Sequence, residues 1–127
     1  MGLSRGCGYN MKHLYVVTRR DMTAGYQGVQ SQHALAEFAH VFMGTFIRWK
    51  TRSNYLCWLS VKDEKELRTF ARVAMVNKKL KVATFFEPDV DFEMTAIAIE
   101  PGTKAARLLK GLPLALSEFS PKAKRKK

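Results

Sequence analysis

The sequence predicts an α/β fold, a three-layer α/β/α domain built on a four-stranded mixed β-sheet. Three observations point there. Short β-branched and aromatic runs alternate with longer stretches of helical period. The runs are apolar enough for strands covered on both faces. The third and fourth runs are joined by a connection too short for a helical crossover, which suits an antiparallel pair. The chain has 127 residues and is 46% hydrophobic, enough for one core and too little for two. A single domain over 12–117 is expected, between a loose lead-in at 1–11 and a basic, disordered tail at 118–127.

The first strand is "HLYVVT" (13–18), rich in the β-branched and aromatic residues that pack well on a pleated surface. A turn around Gly25 opens a helix whose stop is expected near Gly44. "YLCWLSV" (55–61) is the second strand. In "KDEKELRTFARVAMVNKK" (62–79), Leu67, Phe70, Ala71 and Ala74 share one helical face, Asp63 can cap the first turn, and Glu64 and Glu66 sit where the helix dipole favours negative charge. "KVATFF" (81–86) is the third strand, broken by Pro88, and "TAIAIE" (95–100) the fourth, ended by Pro101 and Gly102. "TKAARLLKGL" makes a short last helix.

The segment "MGTFIRWKTRSN" (43–54) reads as the least regular part of the body. It carries Arg48, Trp49, Lys50 and Arg52. Either these groups meet nucleic acid, phosphate drawing the cations while a base stacks on the indole, or Trp49 packs on the core beneath a basic loop.

Charge narrows the class of partner. With 22 Lys and Arg against 11 Asp and Glu, the formal net charge is +11 and the pI about 10.0, which favours a polyanion. The tail "KAKRKK" supplies five of those charges, leaving +6 from +11 on the rest, so the domain is basic without it. No apolar run approaches the roughly 18–20 residues of a membrane span, and the N-terminus lacks the apolar core of a signal peptide. Cys7 and Cys57 are far apart, Cys57 in an apolar run suited to a small buried side chain. A soluble protein of the reducing cytoplasm is expected. There is no phosphate loop, no GxGxxG after the first strand, no HExxH and no CxxC, so neither a metal nor another cofactor is expected.

Two features remain as candidates for chemistry. In "GYQGVQSQHALAEF" (25–38), at about 100° per residue, Tyr26, Gln30, His33 and Glu37 fall within about 60° of one another, with Leu35, Phe38 and Phe42 on the opposite side. The second feature is "EPDVDFE" (87–93), four carboxylates on an otherwise basic chain, placed where strand ends meet loops and function gathers in open α/β sheets. Composition alone reads the acids as a solvated loop guarding an edge and the histidine as structural.

Four pieces of the chain carry a family resemblance: "YVVTRRDM", "GYQGVQSQHAL", "FFEPDVDFEMTAIAIEP" and "LPLAL". Together they resemble the type 2 peptidyl-tRNA hydrolase family, in particular its small divergent members. The likeness spans roughly residues 12–116, and its most telling part is the order Gly25, Gln30, His33, Ala34 after a strand ending in Arg19 and Asp21. It implies a four-stranded mixed sheet between helices, and cleavage of the ester joining a peptide or amino acid to the 3′ end of tRNA.

By position the resemblance gives His33 the histidine role and Gln30 the glutamine role. Arg19 and Asp21 match the arginine and aspartate after strand one, and Thr95 matches the hydroxyl residue opening strand four. Tyr26 stands where the family has a lysine, and Glu87-Pro88-Asp89 stands where it has an aspartate and a glycine-rich turn. Either Glu87 or Asp89 can fill the acidic role, and Asp89 is preferred because Pro88 ends ladder pairing and redirects the chain just before it. Arg19, Arg20, Arg48 and Lys50 are candidates to replace the lysine's charge, with Gln27 beside them at the helix entrance.

The chemistry implied is metal-free and non-covalent. His33 acts as general base on water, Asp89 orients it, and Gln30 or Thr95 donates to the developing oxyanion. Basic residues hold the tRNA backbone with little base specificity. Two other readings stand beside the enzyme: a catalytically inactive RNA-binding or regulatory module of the same fold, and an interaction module such as a homodimer formed through a strand edge or helix face.

Overall fold

The computed structural model describes residues 13–117. The lead-in with Cys7 and the basic tail lie outside the described residues. The order of elements is β1 (His13–Arg19), α1 (Ala24–Val41), α2 (Met43–Arg52), β2 (Tyr55–Val61), α3 (Glu64–Arg72) running on as a π turn (Val73–Asn77), β3 (Val82–Glu87), β4 (Glu93–Ile99) and α4 (Thr103–Leu109). They form an α/β fold on one four-stranded mixed sheet of order β2-β1-β4-β3. β1 is parallel to β2 and antiparallel to β4, and β3 and β4 are antiparallel.

Strand alternation sorts the core into two clusters. Tyr15 and Val17 of β1 and Ile97 and Ile99 of β4 pack with α3 and α4 residues such as Leu67, Ala71, Ala106 and Leu109. Leu14, Val16, Ala96 and Ala98 point the other way, onto Ala34 and Phe38 of α1 and Trp49 of α2. Both inner strands, β1 and β4, are buried from their second residue to their last, as continuous apolar runs require.

Local chemistry sets the helix starts. Thr23 caps α1 by accepting from the Tyr26 N–H, and Asp63 caps α3 by accepting from the Glu66 N–H, while the Glu66 carboxylate accepts from the Lys62 N–H. α4 begins after Gly102, whose φ of +143° only glycine adopts without strain.

Three expectations are corrected. Residues 43–52 are not an irregular loop but helix α2. α1 ends at Val41 rather than near Gly44, because the chain bends at Phe42, with φ −123° and ψ +53°, and restarts helically. α2 exists because Trp49, 7% exposed, anchors it. Its indole N–H donates to the Tyr55 carbonyl at 2.7 Å and its ring packs tilted against Phe46. The indole is therefore a core anchor and offers no face for a base to stack on. Finally, Cys57 is buried in the first cluster as a disulfide-bonded residue, not a free thiol, so cysteine usage gives no argument for a reducing compartment. Among the described residues no helix is long and apolar enough to cross a membrane.

Candidate functional site

The polar groups of α1 do not line up as its helical wheel predicts. Its buried stripe is Gln27, Gln30, Ala34 and Phe38, so Gln30 shares a side with Phe38, while His33 is exposed. A glutamine can lie in that stripe only if its amide is answered, since an unpartnered buried amide costs on the order of 2–7 kcal/mol. Both are answered. Gln27 donates to the Met22 carbonyl at 2.8 Å and its amide oxygen faces the Thr18 hydroxyl at 3.4 Å. Thr18 in turn accepts from the Trp58 indole at 2.8 Å.

Gln30, fully buried, is the middle of a chain of three. The Thr95 hydroxyl donates to its amide oxygen at 2.5 Å, and its amide nitrogen donates to a Glu87 carboxylate oxygen at 2.9 Å. Thr95 reaches Gln30 through a break in strand alternation. Along β4, Ile97 and Ile99 face α3 and α4, so strict alternation would send Thr95 there too. The β3–β4 register jumps, Phe85 pairing with Ala96 and Phe86 with Met94, which leaves Thr95 as the extra residue of a bulge. That bulge turns Thr95 toward α1 and Met94 toward the opposite cluster.

Of the two acids, Glu87 is the one the fold brings to this chain. It is the last residue of β3, 8% exposed, and its second oxygen accepts from the Asp89 N–H at 3.2 Å. The Gln30 amide, then the Asp89 N–H, then the nearby His33 charge hold its carboxyl below the usual glutamate range. Asp89, preferred from the sequence, sits exposed in a short 3-10 turn and serves the cluster through its backbone. The turn after it passes through Asp91 and Phe92, both at positive φ, which brings the Phe92 N–H back onto the Glu87 carbonyl at 2.9 Å.

His33 lies flat on Phe85, ring centroids 4.4 Å apart and planes 7° from parallel. Its ring nitrogens have no hydrogen-bond partner among the described residues. Phe85 precedes Glu87 by two positions and so shares its strand face, and an aromatic at that spacing before the acid was the sequence signal for this platform. Tyr26 completes the group. Its hydroxyl is buried with no hydrogen-bond partner among the described residues, and burial, then Glu87, then Asp89 push its ionisation above the ordinary phenol value, so it stays protonated at neutral pH.

The other expected site residues lie elsewhere. Arg19 is buried and committed: it forms a two-pronged ion pair with Asp21 at 2.9 Å, meets Glu93 at 2.7 Å and donates to the Met94 carbonyl. The bond to Asp21 is the main cause of its raised pKa, and the same bond keeps the Asp21 carboxyl low. Arg19 is enclosed by these bonds, while the Asp21 carboxylate is partly exposed. Arg20 is exposed after β1 and donates to the Ser60 hydroxyl of β2, the edge strand opposite β3, at 3.2 Å. Arg48 and Lys50 are exposed on α2, beside the start of β2 and the end of β4, about 20 Å along the sheet from Glu87 by strand rise. The chain matches no protein-family model and no curated protein.

Proposed function

We infer that the chain is a hydrolase that cleaves the ester between a peptidyl or aminoacyl group and tRNA, acting through His33 and Glu87. The reading rests on the sequence resemblance and on one structural observation. A buried hydrogen-bond chain, Thr95 to Gln30 to Glu87, ends beside an exposed imidazole and an unpartnered buried phenol. The Tyr26 hydroxyl has no hydrogen-bond partner among the described residues and feels the charge of Glu87, which supports a role for it beside the carboxylate.

In this reading His33 takes a proton from water as the water oxygen attacks the ester carbonyl. Glu87 stabilises the imidazolium that forms, and the Tyr26 O–H donates to the oxyanion in place of the family's lysine. Collapse breaks the bond to the tRNA 3′ oxygen, which takes the proton back from His33. Gln30 and Thr95 are fully buried and are spent on one another and on Glu87. They act as positioning residues rather than as oxyanion donors.

The test is acyl release from labelled peptidyl-tRNA and N-blocked aminoacyl-tRNA. Wild type is expected to release the acyl group, and His33→Ala to slow release about 10²–10⁴-fold with RNA binding retained. Binding without release in the wild type would instead establish the RNA-binding module, a reading favoured by how far the exposed cations of α2 lie from this cluster.

A further inference from the structure

Most acids of this chain gather at one end of the sheet, interleaved there with Arg19, Arg20, Lys62 and Arg68, while the other end is mainly cationic. At the end where β1 and β3 finish lie Asp21, Glu64, Glu87, Asp89, Asp91 and Glu93. Where β3 begins and β4 finishes, contacts tie three elements into a cationic surface. The Lys81 ammonium donates to the Thr45 hydroxyl of α2 at 2.9 Å, and Lys104 of α4 donates to the Lys78 carbonyl at 3.1 Å. Arg48, Lys50, Arg52, Lys78, Lys81 and Lys104 are all exposed, and none has an ion pair among the described residues.

A cleft of about 360 Å³ opens in this surface, lined by Thr45, Arg48, Arg52, Ser53, Glu100 and Pro101, with Trp49 at its base. Arg48 and Arg52 are one helical turn apart and so neighbours on α2, about 5–6 Å between Cβ atoms. The cleft's carboxylate, Glu100, accepts from the Lys81 backbone N–H. Arginines on neighbouring turns at the rim of a cleft suit phosphate oxygens, which a planar guanidinium can bind in a forked geometry.

We propose that this pole, with Arg48 and Arg52 at the rim of the cleft, is a docking surface for the phosphate backbone of RNA. The separation of charge orients an approaching polyanion toward α2 and away from the acidic end. A lipid surface is the poorer fit: α2 exposes Met43 and Ile47, but its aromatic residues Phe46 and Trp49, which an interfacial helix would present outward, pack into the core. The surface is about 20 Å from Glu87 along the strands, so it binds RNA whether or not the other end turns over an ester.

The test is fluorescence anisotropy of the full chain with a labelled, non-acylated RNA hairpin carrying a single-stranded 3′ end, titrated across salt. Because no acyl group is present, failure of this proposal and failure of the hydrolase reading are separable. Arg48→Gln/Arg52→Gln is expected to weaken binding about tenfold near 0.1 M salt and to flatten the log–log salt slope by about two, with an unchanged circular dichroism spectrum. Lys81→Gln, on another element, is expected to weaken it about threefold. Binding within twofold of wild type in both variants would overturn the proposal. So would a larger loss from Arg20→Gln at the acidic end, or binding of phosphatidylserine vesicles with no binding of the RNA.

Discussion

Where β1 and β3 finish, polar side chains are buried and answered by one another, with one hydroxyl left over among the described residues; where β3 begins, exposed cations have no ion pair among the described residues. At the first end position is everything, since Gln30 and Thr95 are fully buried and Glu87 nearly so, and each group's state is set by its neighbour. At the second end the exposed cations act chiefly through their summed field. The contrast separates two kinds of work: holding a few atoms in fixed geometry, and attracting a large charged partner from a distance.

The largest effect that would sharpen the contrast comes from its hinge, Trp49. Trp49→Ala removes the anchor of α2 and should cost about 3–5 kcal/mol, read as a lower midpoint in urea. A variant as stable as wild type would mean that α2 holds its place without the indole. Next, Gln30→Leu strands Thr95 and leaves Glu87 with the Asp89 N–H alone, an expected loss of about 1–3 kcal/mol and of acyl release together. The basic end should keep its RNA affinity in that variant. If both functions fall in step in folded protein, the two ends are one site.

Acid should attack the first end and spare the second. The Glu87 carboxyl is held below its ordinary value in the folded protein, so its contribution is complete above the unfolded glutamate pKa and is lost as pH falls through the lowered folded one. Asp21 and Glu64 are depressed as well, by the Arg19 bond and by the Met94 N–H respectively. Glu87→Gln should therefore be less stable than wild type at neutral pH and converge on it as pH falls through the lowered folded value, as measured by urea melts across pH. A constant gap would place the loss in packing rather than in charge. The smallest structural effect belongs to Tyr26→Phe: removing an unsatisfied hydroxyl should leave stability unchanged or raise it by up to about 1 kcal/mol, while acyl release falls about tenfold or more. Lower stability would mean that the hydroxyl has a partner in solution.

How much of this was legible varies by residue. All four strands appear in the sequence within about two residues, and the helices carrying His33 and Leu67 appear there with less certain ends, because β-branched runs and helical spacing are local signals. Asp63 was visible as a cap for the same reason. The choice of Glu87 over Asp89 was not, since it depends on which side of β3 faces α1 and on a Gln30 amide 57 residues away. Helix α2 was hidden because Gly44 reads as a stop and only Trp49 meeting the sheet outweighs it. The side of α1 that meets the sheet was misplaced for a related reason: glutamines count as polar on a helical wheel, yet Gln27 and Gln30 are buried wherever tertiary partners satisfy them.

By itself, then, the amino-acid order determined the alternation of strands and helices, the mixed sheet, the excess of positive charge and the presence of an imidazole and acids worth watching. Tertiary structure alone decided that a bulge turns Thr95 toward Gln30, that Glu87 rather than Asp89 closes the chain, that the Tyr26 hydroxyl has no partner among the described residues, and that exposed cations without ion pairs among the described residues gather where β3 begins. The division follows from range. Propensity and periodicity act over a few neighbouring residues, whereas desolvation and hydrogen-bond satisfaction are settled between groups the chain brings together only when it folds.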